Sequence, residues 1–332
     1  MKGVVRVARV AIGVSLVLGL GLSTAVAADF PRKPVSLIIP MSPGGARDVQ
    51  CRAFASVAEK LWGQPVIAVN KPGASGIIGM LAAAQAVPDG YTLVGTSTAD
   101  MCTVEWELAN GRDPKVSRKD FIYLGMFTLF PHVLCVPFDS PWKSVADFLA
   151  DAKAKPGVYS FSSSGMHAGT HLPGEYLMDA TGLKFRHVPY NGGGPAVSAI
   201  VGKHVDFGFA TASSCISLIQ GKKLRALAVT VDKRYSVLPD VPTLDELGIR
   251  DCDYLGWVGL FAPLKTPQPV VDLLRQTVKK ATEQEAFIKI IEGLGDRVNY
   301  RNPDEMAKYL DYESAKISRF LKKMVAQEKE KK

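Results

Sequence analysis

Four short segments are rich in glycine, serine and threonine, and each follows an apolar run typical of a buried strand. They are Ser42–Gly45, Gly95–Thr98, Ser162–Thr170 and Tyr190–Gly194. Glycine allows a ligand to approach the backbone closely. The unpaired N–H groups at the start of a helix attract anions. Together these segments predict a cleft that binds a small, negatively charged molecule.

Nucleophilic catalysis has weaker support than binding. The sequence contains no G-x-S-x-G motif, and its nearest approach, Gly95-Thr96-Ser97-Thr98-Ala99, ends in alanine. A secreted hydrolase that uses Ser97 or Ser164 with His171 is therefore the lesser hypothesis. The chain after its amino-terminal leader also lacks a P-loop and a G-x-G-x-x-G motif after a strand. We expect no cofactor.

Metal binding is not predicted either. His167 and His171 are four residues apart, but Ala168 stands where a zinc protease motif requires glutamate. The cysteines are widely spaced and form no C-x-x-C pair, so we expect mostly buried thiols, with one or two disulfides as the alternative. They are Cys51, Cys102, Cys135, Cys215 and Cys252.

Alternating strands and helices must position the four loops. Short apolar runs bounded by glycine or proline alternate with segments of helical periodicity, the pattern of a parallel sheet covered on both faces. Ligands bind such sheets at the carboxyl ends of the strands. A length of 332 residues suggests two domains. The predicted strands are Val35–Pro40, Val66–Asn70, Tyr91–Gly95, Leu134–Val136, Tyr159–Ser162, Phe185–Val188, Phe207–Ala210 and Leu224–Val229, and the predicted C-terminal helices are Thr266–Glu292 and Pro303–Gln327.

Residues 1–28 have the features of a secretory signal peptide. A basic start precedes the uncharged apolar run Val10–Leu22, and a small-residue site predicts cleavage near Ala27 or Ala28. No later run is long enough to span a bilayer, so we expect a soluble, exported protein. A composition of 47% hydrophobic and 22% charged residues excludes a disordered chain. The net charge of +8 forms no basic stripe, which disfavours nucleic-acid binding.

A series of short motifs occurs in order between about residue 30 and residue 320. Singly most of them are turn motifs, but jointly they are specific. The chain resembles the Bug-type extracytoplasmic solute receptors, which are the binding proteins of tripartite tricarboxylate transporters. The motifs are Phe30-Pro31-x-Lys33-Pro34-Val35, Pro43-Gly44-Gly45-x-x-Asp48, Asn70-Lys71-Pro72-Gly73-Ala74-Ser75-Gly76, Pro88-Asp89-Gly90-Tyr91-Thr92-Leu93, His187-Val188-Pro189-Tyr190-x-Gly192-Gly193-Gly194, Leu238-Pro239-Asp240-Val241-Pro242-Thr243 and Trp257-x-Gly259-Leu260-x-Ala262-Pro263.

This resemblance implies an α/β, two-lobed periplasmic-binding-protein fold of the type II-like kind. Each lobe would contain a central mixed, mostly parallel sheet flanked by helices. The chain would cross between the lobes near residues 127–133 and 227–231. Lobe 1 would then comprise residues 29–127 plus 230–332, and lobe 2 residues 128–229. Hinge closure would bury the ligand, and the receptor would act as a periplasmic monomer.

The resemblance also implies which residues contact the ligand, a small organic carboxylate that is either aliphatic or aromatic. Asp48, Gly73 and Gly76 are expected to support loops instead. No metal or cofactor is implied. The expected ligand contacts are Ser42, Gly44, Gly45, Ser97 and Thr98 from lobe 1, and Ser164, His167, Thr170, His171, Tyr190, Asn191, Gly192, Gly193 and Thr211 from lobe 2.

The resemblance thus predicts a receptor that delivers its ligand to membrane permease subunits, rather than an enzyme. A sensory ligand-binding partner without transport is an alternative that the sequence does not separate from it. Thr211-Ala212-Ser213 lacks the aspartate that many similar receptors carry there, which argues against an amino-acid ligand. His167 is expected to donate to a second carboxylate or to stack on an aromatic ring.

Overall fold

One long strand, β4 (Phe121–Pro137), runs through both lobes of the computed structural model, which describes residues 30–330. The predicted signal peptide lies outside the described residues. The other strands are β1 (Val35–Ile39), β2 (Val66–Asn70), β3 (Thr92–Ser97), β5 (Ser160–Ser163), β6 (Arg186–Pro189), β7 (Phe207–Thr211), β8 (Leu224–Val229), β9 (Leu255–Pro263) and β10 (Arg297–Arg301). The helices are α1 (Ala46–Trp62), α2 (Ile77–Ala84), α3 (Thr98–Ala109), α4 (Val145–Ala154), α5 (Leu172–Thr181), α6 (Gly193–Val201), α7 (Ala212–Gln220), α8 (Gln268–Glu283), α9 (Glu285–Gly293) and α10 (Pro303–Glu330).

The lobe 1 sheet has the order β2-β1-β3-β9-β4, and β10 also pairs with β4. β1 runs parallel to β2 and β3, whereas β9 is antiparallel to β3 and β4. Leu37 and Ile39 pack against residues of α1, α8 and α9, and the intervening Ile38 packs on the opposite face with residues of α2, α3 and α10. Alternate side chains of a strand point to opposite faces, so a strand buried on both faces is apolar throughout.

The lobe 2 sheet uses the second half of β4. β7 and β8 pair antiparallel with β4, and β5 lies parallel between β7 and β6. Phe161 and Phe207 pack with residues of α4 and α5, while Val133 and Cys135 pack with α6 and α7. The predicted α/β, two-lobed fold class is confirmed, with parallel strands at the outer edges and antiparallel pairing at the centre.

The strand partners show where the chain passes between the sheets. In β4, residues up to Pro131 pair with β9 and residues from His132 pair with β7. After β8 the chain stays beside lobe 2, because Val229 donates its N–H to Pro242 and accepts one from Leu244. Tyr235 also packs on the α6 and α7 side of that sheet. We therefore propose that the second crossing lies at residues 254–255, instead of the predicted 227–231.

The C-terminal region differs from the prediction of two long helices. The helix predicted over Thr266–Glu292 breaks at Gln284, whose ψ of 128° is extended, and gives α8 and α9. The unpredicted strand β10 follows and pairs with β4. α10 begins at the predicted Pro303, where Asn302 Oδ1 accepts two backbone N–H groups at 3.0 Å. α10 packs on α3 in lobe 1, and its Phe320 contacts Tyr176 of lobe 2.

The cysteines belong to the packed interior. All five cysteines are buried and unbridged. Across residues 30–330, none of the helices has the length and apolar character needed to cross a membrane.

Candidate ligand-binding cleft

The lobes meet across a narrow cleft of about 60 Å³ that opens to solvent. It lies at the carboxyl ends of β1, β3, β5, β6 and β7, where the glycine-rich loops were predicted to converge. Phe130 and His132 of β4, together with Gly256 and Val258 of β9, form its floor. Its walls are Met41, Ser42, Gly45, Ala46, Arg47, Asp48, Ser97, Thr98 and Ala99 from lobe 1, and Ser164, Gly169, Thr170, Gly193 and Thr211 from lobe 2.

Four helices begin at this cleft, namely α1 and α3 from lobe 1 and α6 and α7 from lobe 2. The N-cap residues of three of these described helices, Gly45, Gly192 and Thr211, make no side-chain cap hydrogen bond. α3 differs, since Ser97 Oγ accepts the Ala99 N–H. The first N–H groups of a helix have no partner within it and carry partial positive charge. The cleft therefore presents backbone donors to an anion from both sides.

A buried ion pair supports the lobe 1 wall. Arg47 Nη1 donates to Asp100 Oδ1 at 2.9 Å, and both side chains are 5% exposed. Arg47 Nη2 donates to Ser97 Oγ. Burial raises the pKa of the Asp100 carboxyl, while the Arg47 charge opposes this shift. The sequence analysis missed both residues, although Arg47, two positions after the Gly44-Gly45 pair at a helix start, could have been identified from its position.

Asp48 holds the first glycine-rich loop in place. Its Oδ2 accepts the Gly44 N–H at 3.0 Å. Its Oδ1 accepts hydrogen bonds from Arg52 Nε and Asn70 Nδ2, both at 2.9 Å. The Gly44 donor is thereby used within the loop, and Gly44 lies outside the cleft lining.

Gly73 and Gly76 are required by packing. A Cβ on Gly73 would lie 2.5 Å from Ile78 Cδ1, and one on Gly76 would lie 2.3 Å from Asp100 Oδ1. Their φ angles of +128° and +106° also favour glycine. Both residues support the Asp100 side of the wall from behind.

The two walls touch at one end of the cleft. A Cβ on Gly192 would lie 3.3 Å from Ser42 Cβ, and a Cβ on Gly45 would lie 3.7 Å from Gly193 N. At the rim, Ser75 Oγ donates to the Met166 carbonyl at 2.7 Å. The two lobes are therefore in direct contact at one end of the cleft and at its rim.

The hydroxyls of Ser97 and Ser164, the two serines considered as nucleophiles, are engaged by groups other than histidine. Ser164 Oγ accepts from Thr170 Oγ1 at 2.9 Å, and Thr170 Oγ1 in turn accepts the Ser164 N–H at 2.7 Å. His171 Nδ1 accepts the His167 N–H at 3.1 Å, and its Nε2 lies 2.9 Å from Glu175 Oε1. Neither ring nitrogen of His171 thus pairs with Ser164 or Ser97 within the described chain.

The two histidines expected at the ligand instead belong to a stack of rings beside the cleft. The His167 ring lies 3.5 Å from the Trp106 ring at an interplanar angle of 12°, and His171 lies 3.7 Å from His187. The backbone of His167 has a left-handed φ of +58° where its ring takes this orientation. Burial lowers the pKa of His167, His171 and His187 to about 3 and raises that of Glu175 to about 7.

Three further expected contacts, Tyr190, Asn191 and Gly192, also lie outside the cleft lining. Tyr190 packs with the apolar cluster under α6 and α7, and Asn191 is exposed. Thr98 does line the cleft, but its hydroxyl accepts the Trp257 N–H at 2.9 Å and so also joins α3 to β9. Within the described range 30–330, no group of three or more His, Cys, Asp or Glu side chains is placed to hold a metal ion.

His132 is the third residue that the sequence analysis missed. It lies on the cleft floor, is 2% exposed, and its Nδ1 has no hydrogen-bond partner in the described part of the chain. Burial lowers its pKa to about 4, so the ring is neutral near pH 7. Its position within the predicted crossing 127–133 could have identified it as a cleft residue, because a strand that joins two lobes must pass beneath the cleft between them.

Comparisons with known proteins agree with this architecture. Residues 50–325 match the family described as the tripartite tricarboxylate transporter family receptor. The structure is similar to that of the periplasmic binding protein BugD, with 29% identity, a TM-score of 0.82, and coverage of 89% of this chain and 98% of BugD.

Two other similar structures contain ligands. MatC from Rhodopseudomonas palustris, solved with bound malate, is 26% identical with a TM-score of 0.82 over 88% of this chain and all of MatC. Rpa4515 from R. palustris, solved with adipate, is 25% identical with a TM-score of 0.82 over 88% of this chain and 98% of its own. The chain belongs to the tripartite tricarboxylate transporter receptor family and is a Bug-type solute receptor.

Proposed function

We propose that the protein is a periplasmic receptor that binds a small dicarboxylate between its lobes and delivers it to the permease subunits of a tripartite transporter. The convergence of uncapped helix starts carries this proposal. Lobe 1 contributes the start of α1 behind Gly45, and lobe 2 contributes the starts of α6 and α7 behind Gly192 and Thr211. Donors on opposite walls suit a ligand with a carboxylate at each end.

The similar proteins support the same ligand class. Malate, bound to MatC, and adipate, bound to Rpa4515, are both aliphatic dicarboxylates. The periplasmic location of BugD supports export of this chain. Because relatives of this identity differ in their ligands, the length of the aliphatic chain is set by the residues of the cleft itself.

The contacts that join the lobes are noncovalent, and none of them involves a chemical reaction. The Ser75–Met166 hydrogen bond and the Trp106–His167 stack connect the two rims. Ser164 and His171 are engaged in separate contacts. We propose that the protein binds without turnover and that the closed pair of lobes forms the surface that a permease recognises.

A thermal-shift screen of the mature protein tests the ligand class. The panel contains malate, succinate, adipate, citrate, benzoate and glutamate. A ligand at 100 times its Kd stabilises the folded state by about 2.7 kcal/mol, which gives a clear rise in the unfolding midpoint. Stabilisation by malate, succinate or adipate supports the proposal, and the absence of stabilisation by all three contradicts it.

A charge placed at one helix start tests the site. Gly193→Asp adds a carboxylate at the first position of α6, which favours the helix but repels an anionic ligand. The variant should fold and lose dicarboxylate binding, whereas Gly182→Asp, at the far end of α5, should bind as the parent does. Equal binding by both variants would place the ligand elsewhere.

Two functional readouts separate transport from the alternatives. NMR spectra of the bound dicarboxylate should be unchanged after long incubation, and any product would indicate an enzyme. Uptake of the labelled dicarboxylate should be lost in cells that lack the gene. Unchanged uptake would favour the sensory alternative.

A further inference from the structure

A second cavity lies in lobe 1, behind the wall that faces the ligand cleft. Its volume is about 290 Å³, and it is enclosed by α3, α10, β9 and the segment before β4. This size approaches that of ordinary small-molecule sites, which are mostly apolar with a few placed polar groups. Its apolar lining includes Met80, Met101, Val104, Leu108, Phe261 and Leu310.

Two polar side chains at the floor of this cavity lack partners. Thr96 of β3 pairs with Gly259 of β9, so Trp257, two residues before Gly259, lies on the same face of the sheet. Thr96 and Trp257 are 1% and 2% exposed, and both line the cavity. Thr96 Oγ1 and Trp257 Nε1 have no hydrogen-bond partner within the described chain. Buried polar atoms without partners are uncommon, and an occupant or ordered water would satisfy them.

The charges around the cavity differ between its interior and its rim. Inside, Asp100 is neutralised by Arg47, and Glu105 accepts a hydrogen bond from Ser314. At the rim, Arg118 is held by Asp311 and Tyr123. Beside it lies the exposed Lys119. The interior is therefore apolar apart from these two carboxyl groups, and at the opening Lys119 is the positive charge that no ion pair matches within the described chain.

The cavity is separate from the cleft but shares its wall. Ser97 lines both spaces. Arg47 faces the cleft and Asp100 lines the cavity, so their ion pair stands between the two. An occupant of the cavity would touch the back of the wall that supports the first ligand.

We propose that lobe 1 binds a second small molecule in this cavity, an amphipathic monocarboxylic acid with an aromatic or compact aliphatic body. Its apolar body lies between α3 and α10, and its carboxylate lies at the rim with Arg118 and Lys119. This site does not depend on the proposed transport function, because none of its interior contacts requires a ligand in the cleft.

Calorimetric titration with benzoate tests the site on the mature protein, with and without saturating malate. Val104→Phe fills part of the cavity and should weaken benzoate binding at least tenfold, while malate binding is unchanged. Val158→Phe makes the same change at an exposed position of lobe 2 and should have no effect. Absence of benzoate binding, displacement of benzoate by malate, or equal binding by both variants would overturn the proposal.

Two further measurements keep the test independent of that variant's folding and of malate. In crystals soaked with 4-bromobenzoate, a bromine anomalous peak between α3 and α10 supports the site, and a peak only in the cleft or none at all overturns it. Lys119→Ala should weaken benzoate severalfold without affecting benzyl alcohol. An equal effect on both compounds would refute a carboxylate at the rim. If malate does not bind, only the proposal that malate is the cleft ligand fails. The benzoate measurements still test the second cavity, because they do not depend on malate.

Discussion

The two walls of the cleft are built from different chemistry. The lobe 1 wall contains the buried Arg47–Asp100 ion pair and the Asp48 carboxylate, whose three hydrogen bonds hold its loop. The lobe 2 wall contains neutral hydroxyls, of which Ser164 and Thr170 bond each other, beside neutral stacked imidazoles. Both walls present helix starts, but only the lobe 1 wall contains buried side-chain charges.

Because of this difference, the side-chain charges support the lobe 1 wall, whereas the backbone dipoles attract the ligand. The formal charges of lobe 1 are matched by their neighbours, so they fix the geometry of the wall instead of attracting the ligand. The attraction then comes from backbone dipoles, which remain oriented without counter-ions. A receptor built in this way can exchange hydroxyls on lobe 2 to change its ligand while the support in lobe 1 stays the same.

The largest expected effect comes from removing one charge of the lobe 1 wall. Asp100→Asn leaves the Arg47 guanidinium buried without a counter-charge, which should lower the free energy of unfolding by about 3–5 kcal/mol. Urea denaturation measures this loss. Asp113→Asn breaks the exposed ion pair with Lys115 and should change stability little. Similar losses of unfolding free energy in the two variants would show that the buried ion pair stabilises the fold no more than the exposed one does.

The second prediction concerns the neutral imidazoles of lobe 2. The folded pKa of His171 is about 3, below its ordinary value of 6.5. The unfolded chain therefore binds a proton between pH 6.5 and pH 3 that folded His171 does not, and stability is lost as the pH falls below 6.5. At pH 5 this cost is about 2 kcal/mol.

Denaturation at pH 7 and pH 5 tests this prediction. His171→Gln should lose about 2 kcal/mol less stability than the parent between these pH values. Glu175 lies 2.9 Å from His171, and its pKa, raised to about 7, acts in the opposite direction, so the parent and the variant are both compared in a Glu175→Gln background. His204→Gln alters an exposed histidine and should keep the parent's pH dependence. An unchanged slope in His171→Gln would show that His171 is protonated in the folded state.

The third prediction tests the contact between the walls. Gly192→Ala places a methyl group about 3.3 Å from Ser42 Cβ, which should hinder closure and raise the Kd for the cleft ligand about tenfold, or about 1.4 kcal/mol. Gly182→Ala is the control for alanine at a positive φ without a steric contact, because its Cβ meets no atom within 4 Å; its φ of +70° and ψ of 5° are less costly for alanine than the φ of +120° and ψ of 168° at Gly192. Calorimetry measures both variants, and equal affinities would show that closure does not require this contact.

The smallest expected effect is at the rim. His167→Asn removes the ring that stacks on Trp106, and asparagine tolerates the positive φ. An aromatic pair contributes about 0.5–1.5 kcal/mol, so ligand affinity should fall about two- to tenfold. The ligand-induced change in Trp106 fluorescence should disappear, whereas it should persist in His204→Asn. A retained change in both would mean that the stack forms without closure.

Local patterns predicted much of the site. The loops that contain Ser42, Gly45 and Ser97 were identified because turn residues between a strand and a helix leave a signal within a few positions. The same holds for the start of α10 at Pro303. Arg47 was missed because its role depends on Asp100, 53 positions away in the chain.

Other features could not be read from local patterns. β10 covers five partly exposed residues, Arg297–Arg301, without an apolar run, so only its pairing with β4 makes it a strand. The i,i+4 spacing of His167 and His171 did not indicate whether their side chains point into the cleft or away from it. The left-handed backbone at His167 is set by tertiary packing, and non-glycine residues adopt it rarely.

The long strand β4 has a consequence for protein engineering and for recombination among relatives. It lies between β9 and β10 in one sheet and between β7 and β8 in the other. A gene break between Pro131 and His132 would remove a central strand from both halves at once. The lobes are therefore not exchangeable cassettes, and chimeric receptors should transfer individual loops onto an intact β4.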